Sequence, residues 1–566
     1  MNAVAAGSPG PAAAETSRPR VRRRLGGWLA LAIFAYGVGY LTWYLGTPLG
    51  RAPQLDGREN MELAVQIASG SLPHELFYRA MLYPAALAVP LWLGWPLAWL
   101  PGLAAVLGML SHFAATWAVA RLTARLWAGP RANWAAALAA ALWGLNPVAL
   151  FYAVDVLDAT PSLALCLWGL VWLAQTGGRR RDALVGGILL GLAVGMRPHF
   201  LPVALVAPVV RAWLVGRWQP ALRDGVAWAG VAIPLLAVGL AQWAWAGEFR
   251  VLPWQGAYNF YAANRRGANG RYYTQRVFLT DLAPGENPTR VESELLYAQE
   301  TGSRPPFKIP LMEGYWQARA WAGIMENPTA WLELMGRKTY YLFNDFDQYN
   351  NKTYAWHQEQ SPWLRWNFLS WGVLLVLAAA MLPVGAAERR TAMAGLLLVF
   401  IAYGAGVLIY YASGRFRLPL APLLCVLAGG WAAMPEMFKR QSGFRCVAIT
   451  VLAVLAASAA GAVAATDFFN ARDESTFIQD ELLSANAAAE VGEDAQAYSL
   501  AEQALARDGA RPDARRIALV SYFNLALDGG AGMDSADGWR KQLPLLDGLE
   551  LRDPALSLVA GVAWWK

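Results

Sequence analysis

Residues 25–47 read LGGWLALAIFAYGVGYLTWYLGT, an apolar run with the length and purity needed to cross a hydrocarbon core about 30 Å thick. Leu364–Pro383, Ala394–Tyr411 and Val447–Thr466 repeat the pattern. The chain has 566 residues, 56% hydrophobic and 15% charged, whereas soluble domains carry about 25% charged residues. Apolar residues in long blocks, not in an amphipathic rhythm, point to an all-α polytopic membrane protein.

The basic stretch Arg18–Arg24 precedes the first run, so residues 1–24 read as a cytoplasmic tail under the positive-inside bias. That run is too long for a cleavable signal. Topology also explains the net charge of +7 better than nucleic acid does. Cys166, Cys425 and Cys446 lie in or beside apolar runs, with neither a disulfide framework nor ligand spacing, and read as small core residues.

Letting the arginines set orientation gives about eleven spans. Seven fall in residues 25–246: Leu25–Thr47, Pro101–Ala120, Trp134–Phe151, Pro161–Gln175, the short pair Ala183–Met196 and Phe200–Leu214, and Val226–Trp245. Tyr83–Trp95 is too short and proline-rich for a span and reads as a surface or re-entrant helix. Residues 48–82 form a first outer loop and residues 247–363 a larger outer segment. Residues 364–466 hold the spans Leu364–Pro383, Ala394–Tyr411, Leu418–Met434 and Val447–Thr466. A charged, alanine-rich tail, 467–566, ends the chain outside. The dense basic turns (Arg121, Arg125, Arg131, Arg179–Arg181, Arg217, Arg223, Arg389–Arg390, Lys439–Arg440) all fall on the cytoplasmic side.

The exceptions gather on the opposite side: Asp56, Glu59, His74, Glu75, Arg79, Asp155, Asp158, Arg197, His199, Arg415 and Arg417. Ionisable groups at a membrane boundary are costly without a task. A secondary transporter places its polar groups at mid-membrane on repeated broken helices; here they sit at one face and no repeat is evident. That pattern favours an enzyme acting on a lipid-carried substrate, with a transporter or export component for lipid-linked glycan as the alternative.

Four stretches in order then carry a resemblance. LDGRENMELAVQIASG with FYRAMLYPAALAVPL, WQGAYNFYAANRRGANGRY, EGYWQARAWAGIMENPTAWLELMGRKTYYLFND, and YYASGRFRLPLAPLLCVLAGGW are similar to stretches of the GT-C glycosyltransferases. The likeness is to the protein-mannosyltransferase-like superfamily (glycosyltransferase family 39), in its bacterial branch with a tetratricopeptide-like C-terminus, and covers roughly Leu25–Trp431. It implies a GT-C-like bundle in a bacterial inner membrane. Its activity would be inverting transfer of a sugar from a polyprenyl-phosphate donor to a protein, glycan or lipid acceptor, with the active site on the periplasmic side. Asp56 matches the family's general base. The family has Asp-Glu there, with Tyr three residues after the Glu; this chain has Gly57 and Asn60, and Glu59 is the substitute carboxylate. The departure leaves metal dependence open and admits an inactive scaffold. No cofactor is expected.

Position alone makes Asp56 the N-cap of the GRENMELAVQIA helix and Glu59 a capping-box residue. The matched context favours catalysis for Asp56. Glu62 reads as a solvated face. Arg79, Arg415, Arg417 and Lys338 are candidates for the donor phosphate, against snorkelling to headgroups for the late pair. Asp158, Tyr83, Trp254, Tyr258 and Tyr261 are candidates for acceptor or sugar contact. In the tail, residues 494–526 have the look of a tetratricopeptide-like pair about Pro512, or of an ordinary helical hairpin. Its apolar face must pack on the outer segment or on a partner protein.

Overall fold

The computed structural model describes residues 18–175, 179–215, 225–277, 287–438, 443–529, 535–547, 549 and 554–565. The tail up to residue 17, Arg217, Arg223 and the Lys439–Arg440 turn lie outside the described residues. Every regular element among the described residues is helical. Six helices are long and apolar enough to cross a membrane: Gly26–Leu45, Leu97–Leu126, Val226–Ala246, Trp371–Glu388, Arg390–Ile409 and Gly443–Ala465. Two bent pairs, Ala132–Gly144 with Pro147–Ala153 (57°) and Pro198–Leu205 with Ala207–Val215 (52°), raise the number to eight. The chain is a multi-pass, all-α membrane protein.

The count falls short of eleven because three expected spans are shorter or broken. Ala159–Leu173 and Arg180–Met196 have 15 and 17 residues, and the 418–434 run divides into Leu418–Leu420, Ala421–Ala428 and Gly429–Ala432. For two of them burial shows why: 12 of the 15 residues of Ala159–Leu173 and all eight of Ala421–Ala428 are buried, against 9 of the 17 of Arg180–Met196. Surrounded by other helices, those two need not match a lipid thickness. The Gly443–Ala465 helix does the reverse, exposing Val447, Val451, Leu452 and Leu455 on its flank, as a lipid-facing surface requires.

Small residues set the tightest helix approach. A Cβ on Gly187 would lie 2.1 Å from the Ala227 carbonyl oxygen, and one on Gly191 2.5 Å from that of Val231. Arg180–Met196 and Val226–Ala246 therefore meet backbone to backbone, as glycine-lined membrane helices do.

The arginine-rich turns meet at one end of the bundle. Arg389 donates to the Ala128 carbonyl at 2.7 Å, Arg211 to that of Arg179 at 3.2 Å. The other end carries the first loop, the 247–363 segment and the tail. In the tail, Phe477–Glu490, Asp494–Arg507 and Pro512–Leu527 share one core with Trp356. Arg51 pairs with Glu493 and Arg58 with Glu490, tying the tail to the first loop on both sides of Asp56.

Candidate active site

The first loop reaches the site through a strained residue. Leu55 has φ +51° and ψ −127°, a conformation costly for a branched side chain. It turns Asp56 inward as the first residue of the Asp56–Ser69 helix, whose N-cap, Leu55, makes no side-chain capping bond. Asp56 is thus not a capping residue. It accepts from Arg415 Nη1 at 2.7 Å and lies 3.7 Å from Arg79 Nη1.

Glu59, one turn on, accepts from Arg79 at 2.5 Å and from Asn287 Nδ2 at 2.9 Å, which rules out the capping box. The two carboxylates share one guanidinium. Asn60, where the resembled family has Tyr, is buried and donates to the Val156 carbonyl at 2.9 Å. That bond fastens the helix to the turn carrying Asp158.

These groups wall a cavity of about 410 Å³. It is bounded by the first loop, the C-terminal ends of Arg180–Met196 and Arg390–Ile409, and the start of Gln255–Asn264. Asp56, Arg79, Tyr83, Asp158 and Arg415 line it together. Arg197, which the sequence showed only as an arginine on the wrong side of the charge bias, joins them. It is 3% exposed, lies 3.9 Å from Asp158, and stacks over Phe416 at 4.9 Å.

Several buried polar atoms on this wall have no hydrogen-bond partner: Tyr78, Tyr83 and Tyr411 hydroxyls, His199 Nε2, Arg197 Nε and Nη1, Arg415 Nε, and the acceptor Asn350 Oδ1. Buried polar groups are normally satisfied, and eight such atoms around one cavity, most of them donors, suit it to a polar ligand or to water.

The electrostatics separate the two first-loop carboxyls. Burial alone would raise Asp56, but the Arg415 and Arg79 guanidiniums, with hydrogen bonds from Arg415 and Asn351, hold it well below the ordinary carboxylate value. Burial raises Glu59, which Arg79 only partly offsets and Asp56 reinforces. Glu59 lines not this cavity but a second one of about 270 Å³, with Glu62, Glu75, Arg290 and Glu294; Arg79, Tyr78 and Asn287 border both.

Five other sequence candidates lie elsewhere. Arg417 turns away from Arg415 and donates to the Asn344 and Asp345 carbonyls and, at 3.2 Å, to Asp347. Lys338 is fully buried against Asn264 Oδ1 at 3.2 Å, and burial brings its ammonium down to about 7. Trp254, Tyr258 and Tyr261 form the core of the 247–363 segment with Trp316 and Met312. Trp254 donates to the Leu76 carbonyl and Tyr258 to the buried Glu292, so these rings have no free face for a sugar. Among the described residues, no three His, Cys, Asp or Glu side chains are grouped to hold a metal ion.

No protein-family model and no curated protein matches the chain. Among solved structures it is similar to the archaeal oligosaccharyltransferase AglB from Archaeoglobus fulgidus, in complex with an inhibitory peptide and a dolichol-phosphate. That match has 13% identity, covers 79% of this chain and 56% of that one, and has a TM-score of 0.40. The Archaeoglobus fulgidus oligosaccharyltransferase in the apo form matches at 13% identity over 76% and 55% of the two chains, with a TM-score of 0.37. The chain spans little more than half the length of either.

Proposed function

We propose that this protein is a membrane glycosyltransferase of the GT-C kind, moving a sugar from a polyprenyl-phosphate donor to a hydroxyl of a protein, glycan or lipid acceptor. The observation that carries the reading is the single cavity where Arg79, Arg197 and Arg415 face Asp56 and Asp158, with unpartnered donors between them. The four sequence stretches that resemble the protein-mannosyltransferase-like branch support it independently.

The chemistry follows from the groups. As the bond between the anomeric carbon and the phosphate oxygen breaks, negative charge grows on the departing lipid phosphate, and guanidiniums stabilise it by paired hydrogen bonds. The acceptor oxygen forms its bond to that carbon from the opposite side, inverting it, and gives its proton to a carboxylate. Asp56 is the base in this reading, with Glu59 as the second carboxylate across Arg79. The cavity lies at helix ends, beyond Met196 and Ile409, which suits a lipid-borne substrate better than a mid-membrane transport site. We place the cavity and tail on the periplasmic side of a bacterial cytoplasmic membrane, away from the arginine-rich turns.

The test is to incubate purified protein with a polyprenyl-phosphate sugar and follow release of polyprenyl phosphate. Asp56→Asn should lower the rate by roughly 10²–10⁴-fold, the usual contribution of a general base. Movement of the intact donor across vesicles without its cleavage would identify a transporter instead.

A further inference from the structure

Three guanidiniums, Arg79, Arg197 and Arg415, and three carboxylates, Asp56, Glu59 and Asp158, meet around this site. A phosphate arriving here finds as many anions as cations, and competes with the carboxylates for guanidinium donors. The three carboxylates differ in what they hold. Glu59 takes Arg79 and Asn287 from the side of the second cavity. Asp158 stands 3.9 Å from Arg197, beyond hydrogen-bond reach, and leaves Arg197 Nε and Nη1 without partners. Asp56 alone forms a direct 2.7 Å bond to a cavity-wall guanidinium that also keeps an unpartnered donor, Arg415 Nε. Arg197 and Arg415 both lie over the Phe416 ring, at 4.9 and 5.3 Å, and both line the cavity. Such a pair fits the planar, forked recognition of a phosphate.

We propose that Asp56 is the internal competitor of the donor phosphate: its carboxylate occupies the Arg415 guanidinium edge that the phosphate takes, and binding of the phosphate releases it toward the acceptor. The inference rests on the reading of the cavity as a lipid-phosphate site and adds an order to it. A carboxylate held between Arg415 and Arg79 is a feeble proton acceptor, because cations stabilise its charged form. Transfer of Arg415 to the ligand, together with the negative charge that the ligand brings, raises its proton affinity. The base thus becomes effective only when a donor is in place. Asp56 has two duties: it opposes phosphate binding and it promotes the transfer that follows.

The experiment measures binding of a short-chain polyprenyl phosphate, and separately of inorganic phosphate, to the purified full-length protein in detergent by calorimetry. Wild type, Asp56→Asn and Arg415→Gln are compared, with melting curves to establish folding. Removing a competitor for a charged hydrogen bond should tighten binding by roughly tenfold in Asp56→Asn, for the lipid and for inorganic phosphate alike. Arg415→Gln should weaken binding of both. Equal or weaker binding by a folded Asp56→Asn protein overturns the proposal, as does tightening seen with the lipid but not with inorganic phosphate. Should Asp56→Asn not fold, Asp56→Ser carries the same expectation. If wild type binds neither ligand while folded, the lipid-phosphate reading itself falls. That result differs from wild type binding normally and Asp56→Asn failing to improve on it.

Discussion

Arg79 is the one cation bonded to Glu59 at 2.5 Å and set 3.7 Å from Asp56, with all three side chains 14–20% exposed. Replacing it with methionine keeps the length of the apolar stem and removes the charge. Each close pair at about 4 Å and an effective dielectric near 20 is worth about 4 kcal/mol of attraction before desolvation is counted. Deleting one partner of such a pair costs about 3–5 kcal/mol, because the other charge stays behind. Partial exposure puts Arg79→Met toward the lower figure, about 3 kcal/mol.

The loss has a sign in pH. Burial and Asp56 already raise the Glu59 carboxyl, and Arg79 restrains it. Without Arg79 the folded-state value climbs further above the unfolded one. The folded protein then binds the extra proton, and stability falls as pH rises between the two values. Glu59→Gln in the same chain removes the stranded charge and should recover about 2 kcal/mol of the loss. Unfolding by SDS titration at pH 5 and pH 8 measures all four members of the cycle. Additive effects of Arg79→Met and Glu59→Gln, or a deficit equal at both pH values, would refute the argument that this guanidinium balances both carboxylates.

Other substitutions separate ligand contact from architecture. Arg417→Gln should cost about 3–5 kcal/mol, since it strands Asp347 and two carbonyls, while any folded fraction binds polyprenyl phosphate as wild type does. Arg197→Gln should do the opposite, weakening lipid-phosphate binding at least tenfold, the worth of one charged hydrogen bond, with little change in melting. Lys338→Met should raise the thermal midpoint. The native ammonium titrates near 7, below its ordinary value, so the wild type gains stability as pH rises from there toward 10.5. The benefit of methionine is therefore greatest at or below pH 7 and fades above it, which melting curves from pH 6 to 10 would record.

The fold class, and the gathering of half of the candidate residues in one region, were legible because both depend on features that one sequence displays: apolar run length, and charges standing against the topology bias. Asp56, Glu59, Arg79, Asp158, Tyr83 and Arg415 do meet around the two cavities. The candidates that lie elsewhere do so for physical reasons too. Residues two apart on a helix do not share a face, so Arg415 and Arg417 in Gly414–Arg417 serve different surroundings. Trp254, Tyr258 and Tyr261 recur at i, i+4 and i+7, the rhythm of a buried helical face, and that rhythm, not their aromatic chemistry, decides their place. Lys338 had no such warning, because nothing local shows that Gly270 and Asn264, far earlier in the chain, come to lie against it. The unpartnered hydroxyls of Tyr78 and Tyr411 depend on long-range packing alone. So does the length of the spans: Ala421–Ala428 is short because neighbours cover all of it, which no window of hydropathy can express.

The paired contacts Arg51–Glu493 and Arg58–Glu490 have a consequence in the order of synthesis. The residues on either side of Asp56 leave the ribosome some 430 residues before their partners do. The first loop is therefore made well before the helices that fasten it here. A nascent chain carries this loop without those outer ties until Glu490 and Glu493 have emerged.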